Sequence, residues 1–183
     1  IKKSNKFRFF SLAFLTYKKG FDVLLKAFAK AFKGNREVEL VIGGDGEERG
    51  NLEKLAVDLG IEKQVTFLGE LSREQAAIEM QKCDVFVLAS RFETFGVVFI
   101  EALACGKPII ATKCGGPEMI VEEHNGILVG VDNVIELSVA MKQVSENFER
   151  YNKNIICTHC YQKFGKENVI RQISYIYQYI VQQ

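Results

Sequence analysis

The stretch from Ala89 to Gly130, ASRFETFGVVFIEALACGKPIIATKCGGPEMIVEEHNGILVG, decides the fold and holds the candidate chemistry. A strand ending at Leu88 leads into Glu93, and a helix is predicted to begin just after Gly96. Because that helix is apolar on every face apart from Glu101, the pattern predicts a buried helix with a carboxylate in the core. A buried carboxylate is costly unless donors or charges satisfy it, and a pair of ribose hydroxyls could do so.

The residues before this helix are suited to ligand contact. Glu93 follows a strand end, where loop side chains of α/β sheets face ligands. Gly96 lets a ligand approach the first N–H groups of the helix, which favour an anion such as phosphate. In chain order, the Glu93 carboxylate suits a sugar, the anion site suits a phosphate and Glu101 suits a ribose. Spacing alone gives equal weight to a structural alternative, in which Glu101 is a core glutamate paired with a Lys or Arg.

The rest of the chain alternates strands with helices. Short apolar runs predict strands at 7–15, 38–43, 65–69, 84–88, 108–111 and 127–129, and the chain is predicted to be helical from residue 135 onward. Ser72 with Gln75 predicts a capping box at the start of one intervening helix. This alternation predicts a doubly wound parallel sheet with ligands at the carboxyl ends of its strands.

A group of motifs gives this pattern a family resemblance. Glu93, seven residues and Glu101 are followed by ALACGKP at 102–108, GGPE at 115–118 and Asn125-Gly126. This constellation resembles the donor-binding domain of retaining glycosyltransferases of family 4, which have the GT-B fold, and the resemblance runs from about Phe9 to the C-terminus. It implies a Rossmann-like α/β sheet, the C-terminal half of a GT-B enzyme. Residues 1–183 would form a single donor-binding domain, with the N-terminal acceptor domain absent from this chain.

The resemblance also implies an activity and roles for particular residues. The full-length enzyme would transfer a sugar, with retention, from a UDP- or GDP-linked donor to a saccharide or lipid-linked acceptor in polysaccharide biosynthesis, without a metal ion or other cofactor. Glu93 would contact the donor sugar, Lys19 the diphosphate and Glu101 the ribose, and residues 67–70 would frame the base. The other implied donor-binding residues are Gly20, Gly44, Gly46, Thr94, Phe95, Gly96 and Val97. The isolated domain is expected to bind the donor but to transfer little.

One departure from the family pattern affects the diphosphate site. The family usually has Gly-Arg-Leu shortly before the lysine, whereas this chain has Ala13, Phe14 and Leu15. Either Arg8 or Lys18 compensates for the missing arginine, or the donor binds weakly, or the chain is a non-catalytic nucleotide-sugar-binding or degenerate subunit. A nicotinamide-dependent oxidoreductase is disfavoured, because the glycines after the second strand do not match the dinucleotide fingerprint.

Composition and cysteine usage exclude several other classes. The 24 Lys and Arg nearly balance the 23 Asp and Glu, so the charge gives no indication of a nucleic-acid partner. Five cysteines, an odd number, suit reduced thiols in the cytoplasm. No apolar run reaches the length of a membrane span. The full-length enzyme is therefore expected in the cytoplasm, or peripherally at the inner face of the membrane if its acceptor is lipid-linked.

Further expectations concern the environment of particular side chains. Cys157 and Cys160 enclose His159 but have no second cysteine pair, so a zinc site is not expected there. His124 lies in a turn and is expected to be solvated. Arg91 could pair with a neighbouring acid or stay solvated, and the solvated side chain is favoured. In the last predicted helix, apolar residues recur at helical spacing and need a partner surface: Ile170, Ile173, Ile176, Tyr177 and Ile180.

Overall fold

The computed structural model describes residues 5–181, so the first four and last two residues of the predicted 1–183 domain lie outside it. Within residues 5–181, six strands form one parallel sheet in the order β3-β2-β1-β4-β5-β6. They are β1 Phe7–Leu12, β2 Val38–Gly43, β3 Val65–Gly69, β4 Val85–Leu88, β5 Ile109–Thr112 and β6 Gly126–Val129. This order is that of a doubly wound Rossmann sheet, which confirms the predicted fold class. The first strand ends three residues before the predicted limit, because the chain turns outward at exposed Phe14.

In the described part of the chain, seven α-helices connect and flank these strands. They are α1 Phe21–Phe32, α2 Arg49–Asp58, α3 Arg73–Lys82, α4 Val97–Ala104, α5 Val134–Glu146, α6 Lys153–Phe164 and α7 Lys166–Val181. Helix α1 packs against α2 and α5, whereas α4 packs against α3 and α6. Because parallel crossovers are right-handed, these two groups cover opposite faces of the sheet. The predicted capping box of Ser72 and Gln75 is present at the start of α3.

Phenylalanine rings fill the centre of the sheet and fix the position of α4. Phe10 on β1 meets Phe86 on β4 edge-on, with ring centroids 6.1 Å apart. Phe86 in turn meets Phe99 on α4 at 5.6 Å. All three side chains are fully buried, and every residue of β4 and β5 is buried, as expected of central parallel strands. The packing therefore anchors the helix that carries Glu101 directly to the two central strands.

The C-terminal helix α7 is the least packed element. Its predicted apolar stripe is present at helical spacing, but none of the residues of α7 is buried. Within residues 5–181, no helix is long and apolar enough to cross a membrane.

Candidate functional site

The candidate site is a cleft at the carboxyl ends of β1 and β4, where the strand order reverses. Parallel sheets bind ligands at such switch points. Three concave regions lie there, all lined in part by Leu12. We name them after one side chain each: the Glu93 region, of about 320 Å³, the Asp45 region, of about 450 Å³, and the Glu101 region, of about 700 Å³.

The Glu93 region contains the two predicted catalytic residues. Lys19 ends a 3-10 turn, Tyr17–Lys19, and its Nζ lies 2.7 Å from Oε2 of Glu93. Only 25% of the Lys19 side chain and 13% of the Glu93 side chain are exposed, so the pair is partly shielded from water. Gly20 follows in a left-handed conformation, and a Cβ there would lie 1.9 Å from the carbonyl oxygen of Ala89. The glycine therefore allows the lysine turn to approach the end of β4.

The predicted donor-binding residues after Glu93 line the same region. Thr94, Phe95, Gly96 and Val97 all border it, and Gly96 precedes α4 with φ of 90°. The N–H groups of the first turn of α4 thus lie near the lysine and the glutamate, an arrangement that favours an anion.

The Gly115-Gly116 pair positions Glu93 through the backbone. The N–H of Gly116 donates to the carbonyl of Glu93 at 2.8 Å, and Glu93 pairs with Gly115 in an isolated parallel bridge. A Cβ on Gly116 would lie 2.4 Å from Cα of Phe95. Gly116 therefore allows two backbone segments to approach closely.

Glu101 corrects one prediction. The sequence predicted a buried carboxylate, whereas the structure places Glu101 at an exposed position of α4, in the region that Arg73 also lines. The helix is buried through Phe99 and Leu103, but Val97, one turn before Glu101, is 59% exposed. The sequence prediction takes a helix of mostly apolar residues to be buried on every face, but one stripe of α4 faces the cleft. Glu93 and Glu101 thus lie in adjoining regions of the cleft. Because Glu101 is exposed, its charge carries no desolvation cost in the unliganded protein, and a ligand can reach it.

The Asp45 region is formed by the turn after β2. Gly44 and Gly46, two predicted donor-binding residues, line it together with Asp45 and Glu70. A Cβ on Gly44 would lie 2.0 Å from the carbonyl oxygen of Ala13, so the glycine lets this turn cross over the end of β1. Of the predicted base-pocket residues, Glu70 lines the cleft, whereas Phe67 lines a separate depression beside α2.

Phe14, in the place of the family's arginine, lies between two of these regions. It lines both the Asp45 region and the Glu93 region, and it is 75% exposed. The proposed substitute Arg8 is engaged elsewhere, since its guanidinium contacts Glu39 at 2.6 Å and Glu79 at 3.0 Å. Lys18 is exposed beside Lys19 and is the nearer candidate for compensation.

Arg91 is a structural determinant that sequence reasoning assigned wrongly to solvent. Its Nη1 donates to Asp22 at 2.9 Å and to the carbonyl of Tyr17 at 2.7 Å. The guanidinium also lies 4.0 Å from the centroid of the Tyr17 ring, and its Nε lies 2.8 Å from Asp132. Arg91 therefore joins the lysine turn to the segment after β4. Its partners are distant in sequence, so no local pattern indicates them.

Cys114 borders Glu93 without being a candidate nucleophile. Its carbonyl accepts weakly from the N–H of Glu93, at 3.5 Å. Burial raises the pKa of the Cys114 thiol, and the nearby charges of Glu118 and Glu93 add to this effect. The thiol therefore stays protonated at neutral pH.

This fold and cleft define the chain as a doubly wound α/β domain with a ligand crevice at its switch point. The family model described as "Glycosyl transferases group 1" matches residues 1–156. The chain therefore belongs to that glycosyltransferase family, which confirms the resemblance drawn from its sequence.

Relatives and solved structures support the same assignment. An uncharacterized glycosyltransferase of Methanocaldococcus jannaschii is 32% identical over 166 residues, or 89% of this chain and 42% of that protein. The N-acetyl-alpha-D-glucosaminyl L-malate synthase of Bacillus anthracis is 32% identical over 158 residues, or 84% and 40%. The crystal structure of Anabaena HepE in complex with UDP has a TM-score of 0.84 at 28% identity, covering 95% of this chain and 49% of HepE. The chain thus spans less than half the length of each of these relatives.

Proposed function

We propose that this chain is the donor-binding domain of a retaining glycosyltransferase that uses a UDP- or GDP-linked sugar. The observation that carries the proposal is the Lys19–Glu93 ion pair, 2.7 Å long, beside the start of α4 and at the switch point of the sheet. A relative of similar fold, HepE, has been crystallised with UDP and with UDP-glucose. An ammonium and free helix N–H groups supply the charge that a diphosphate requires.

The proposed roles divide the donor among the adjoining regions of the cleft. The diphosphate would lie between Lys19 and the N–H groups after Gly96. Glu93 would accept hydrogen bonds from hydroxyls of the sugar. Glu101, exposed on the cleft face of α4, would accept hydrogen bonds from the two hydroxyls of the ribose. When the diphosphate competes for Lys19, it frees the Glu93 carboxylate from its ion pair. Catalysis would then be electrostatic, because the lysine stabilises the departing nucleoside diphosphate while the sugar develops positive charge.

The remaining parts of the proposal concern the full-length enzyme. An N-terminal domain, which this chain does not include, would bind a saccharide or lipid-linked acceptor, and transfer would need no metal ion. We place that enzyme in the cytoplasm, with peripheral association at the inner face of the membrane for a lipid-linked acceptor.

A second function, a nucleotide-sugar-binding subunit without transfer activity, is favoured by one observation. Phe14 stands exposed between the Glu93 and Asp45 regions, where the family usually supplies a cation. Assay of the full-length protein for donor hydrolysis separates the two functions, since only the enzyme releases free sugar from its donor.

The decisive test is calorimetric titration of the chain with UDP, GDP and ADP, together with Glu101→Ala. One nucleotide is expected to bind, and loss of the Glu101 carboxylate should weaken it about tenfold, or about 1.4 kcal/mol. Glu123→Ala is the matched control, because its side chain is 94% exposed and does not line the cleft regions. Equal loss in both variants, or no binding of any nucleotide by the chain or the full-length protein, would refute the proposal.

A further inference from the structure

The only two histidines of the chain lie against each other outside the cleft. His124 precedes β6 and His159 lies on α6, yet their ring centroids are 4.4 Å apart, with the rings inclined by 57°. Glu122 lies beside them, and one ligand atom from each of the three residues lies within 4.8 Å of the others. The expectation of an isolated, solvated His124 is therefore wrong, because the fold brings its counterpart from another element.

His124 is incompletely satisfied where it lies. Its Nε2 is enclosed and has no hydrogen-bond partner among the described residues. Its Nδ1 lies 3.7 Å from Oε2 of Glu122, longer than a hydrogen bond. Enclosed ring nitrogens are normally paired, so the described residues leave the hydrogen-bonding capacity of this imidazole unused.

The carboxylate of Glu122 is held in place by a lysine. Lys163 donates to Oε1 of Glu122 at 2.6 Å and to the carbonyl of Met119 at 2.9 Å, which leaves Oε2 directed toward His124. Outer partners of this kind orient metal-binding carboxylates.

We propose that Glu122, His124 and His159 bind a divalent transition-metal ion, Zn²⁺ by preference. Two imidazoles and one carboxylate are a zinc donor set, with water at the fourth position. Zinc bonds of about 2.0–2.2 Å in a tetrahedron place the ligand atoms about 3.3 Å apart, so the site must contract slightly. His159 is exposed and can rotate to close it.

The neighbouring cysteines are not part of this donor set. The thiols of Cys157 and Cys160 donate to carbonyls of α4, those of Ala104 and Ile100, so they point toward that helix. Within residues 5–181, no other group of three or more potential metal-binding side chains is found. A bound ion would tie α6 to the loop before β6, and it would leave the metal-free chemistry proposed for the cleft unchanged.

The test is calorimetric titration of the chain with zinc chloride near neutral pH. We expect one ion per chain, and we expect His159→Gln and Glu122→Gln each to weaken binding by about tenfold or more. Since His159 and Glu122 are exposed, both variants should fold, which circular dichroism checks. Glu123→Gln is the matched control and should bind as the unchanged chain does.

A spectroscopic titration with Co²⁺ identifies the ligands independently. Nitrogen and oxygen ligands give visible d–d bands without the near-ultraviolet charge transfer of a thiolate. A thiolate band, an unaltered affinity in His159→Gln, or the absence of saturable binding would each overturn the proposal.

Discussion

Arg91 and Asp22 form a two-point ion pair, with guanidinium nitrogens 2.9 and 3.1 Å from the two carboxylate oxygens. Asp22 lies in the first turn of α1, just after Lys19, and Arg91 precedes Glu93 by two residues. The N–H of Arg91 also donates to the carbonyl of Lys18 at 2.8 Å. These bonds hold together the two segments that bring the lysine to the glutamate, so Arg91 acts on the cleft by positioning.

Loss of Arg91 should therefore destabilise the fold measurably. Breaking a fully buried pair costs about 3–5 kcal/mol, and partial exposure of Asp22 reduces the expected cost of Arg91→Met to about 1–3 kcal/mol. Urea denaturation measures this free energy. Lys26→Met is the control, because it removes an exposed partner of the same Asp22 and should cost less than about 0.5 kcal/mol. Equal costs would show that the two-point geometry contributes nothing.

The same pair predicts a dependence of stability on pH. Burial raises the pKa of Asp22, but the hydrogen bonds and charge of Arg91 outweigh this effect and the net pKa is lowered. A carboxylate with a lowered folded-state pKa stabilises the protein fully above its unfolded pKa of about 3.9. That contribution is lost as the pH falls through the folded-state value.

Urea unfolding of the wild type and Asp22→Asn at several pH values measures this contribution. The difference in free energy of unfolding should be constant above about pH 5 and should shrink below about pH 4. A difference that stays constant or grows on acidification would contradict the lowered pKa.

Gly20 should be far less tolerant of a side chain than another glycine of the same conformation. Both Gly20 and Gly34 have positive φ, so alanine at either costs about 1–2 kcal/mol. A Cβ at Gly20 also collides with the carbonyl of Ala89, whereas one at Gly34 meets nothing within 4 Å. Overpacking adds about 1–3 kcal/mol, so only Gly20→Ala should exceed about 2 kcal/mol in urea denaturation. Similar values for both variants would argue against the close approach.

Sequence periodicity predicted the sheet because each central strand is buried on both faces and reads as a continuous apolar run. The family resemblance assigned Lys19 and Glu93 to one donor site, and the fold gives the physical reason, since both follow strands whose carboxyl ends meet at the switch point. The exposure of Glu101 was not predictable in this way, because an apolar composition does not reveal which stripe of α4 faces a cleft. The partners of Arg91 and His159 lie on other elements, and only the tertiary fold determines such contacts.

Lys19 should contribute specifically to nucleotide affinity. Lys19→Ala removes the cation of the Glu93 region and leaves the Glu93 carboxylate unpaired beside the phosphate position, so UDP should bind about tenfold more weakly, or about 1.4 kcal/mol. Calorimetry measures this change. Lys18→Ala is the control, since it removes the same charge from an exposed neighbour. If both variants lose affinity equally, the lysines act through general electrostatics, and Lys19 has no direct role.

Phe14 offers a test of the opposite sign, in which binding improves. Its side chain is exposed between the Glu93 and Asp45 regions, so an arginine there can extend into the cleft without displacing core atoms. Charge-assisted hydrogen bonds to phosphate are about twice as strong as neutral ones, so Phe14→Arg should tighten UDP binding about tenfold. Phe92→Arg adds the same charge at an exposed phenylalanine that does not line the cleft regions, and it should change affinity little. A gain confined to Phe14→Arg would locate the diphosphate between Phe14 and Lys19. Equal gains would reflect net charge alone, and unchanged binding in both variants would mean that the diphosphate lies elsewhere in the cleft.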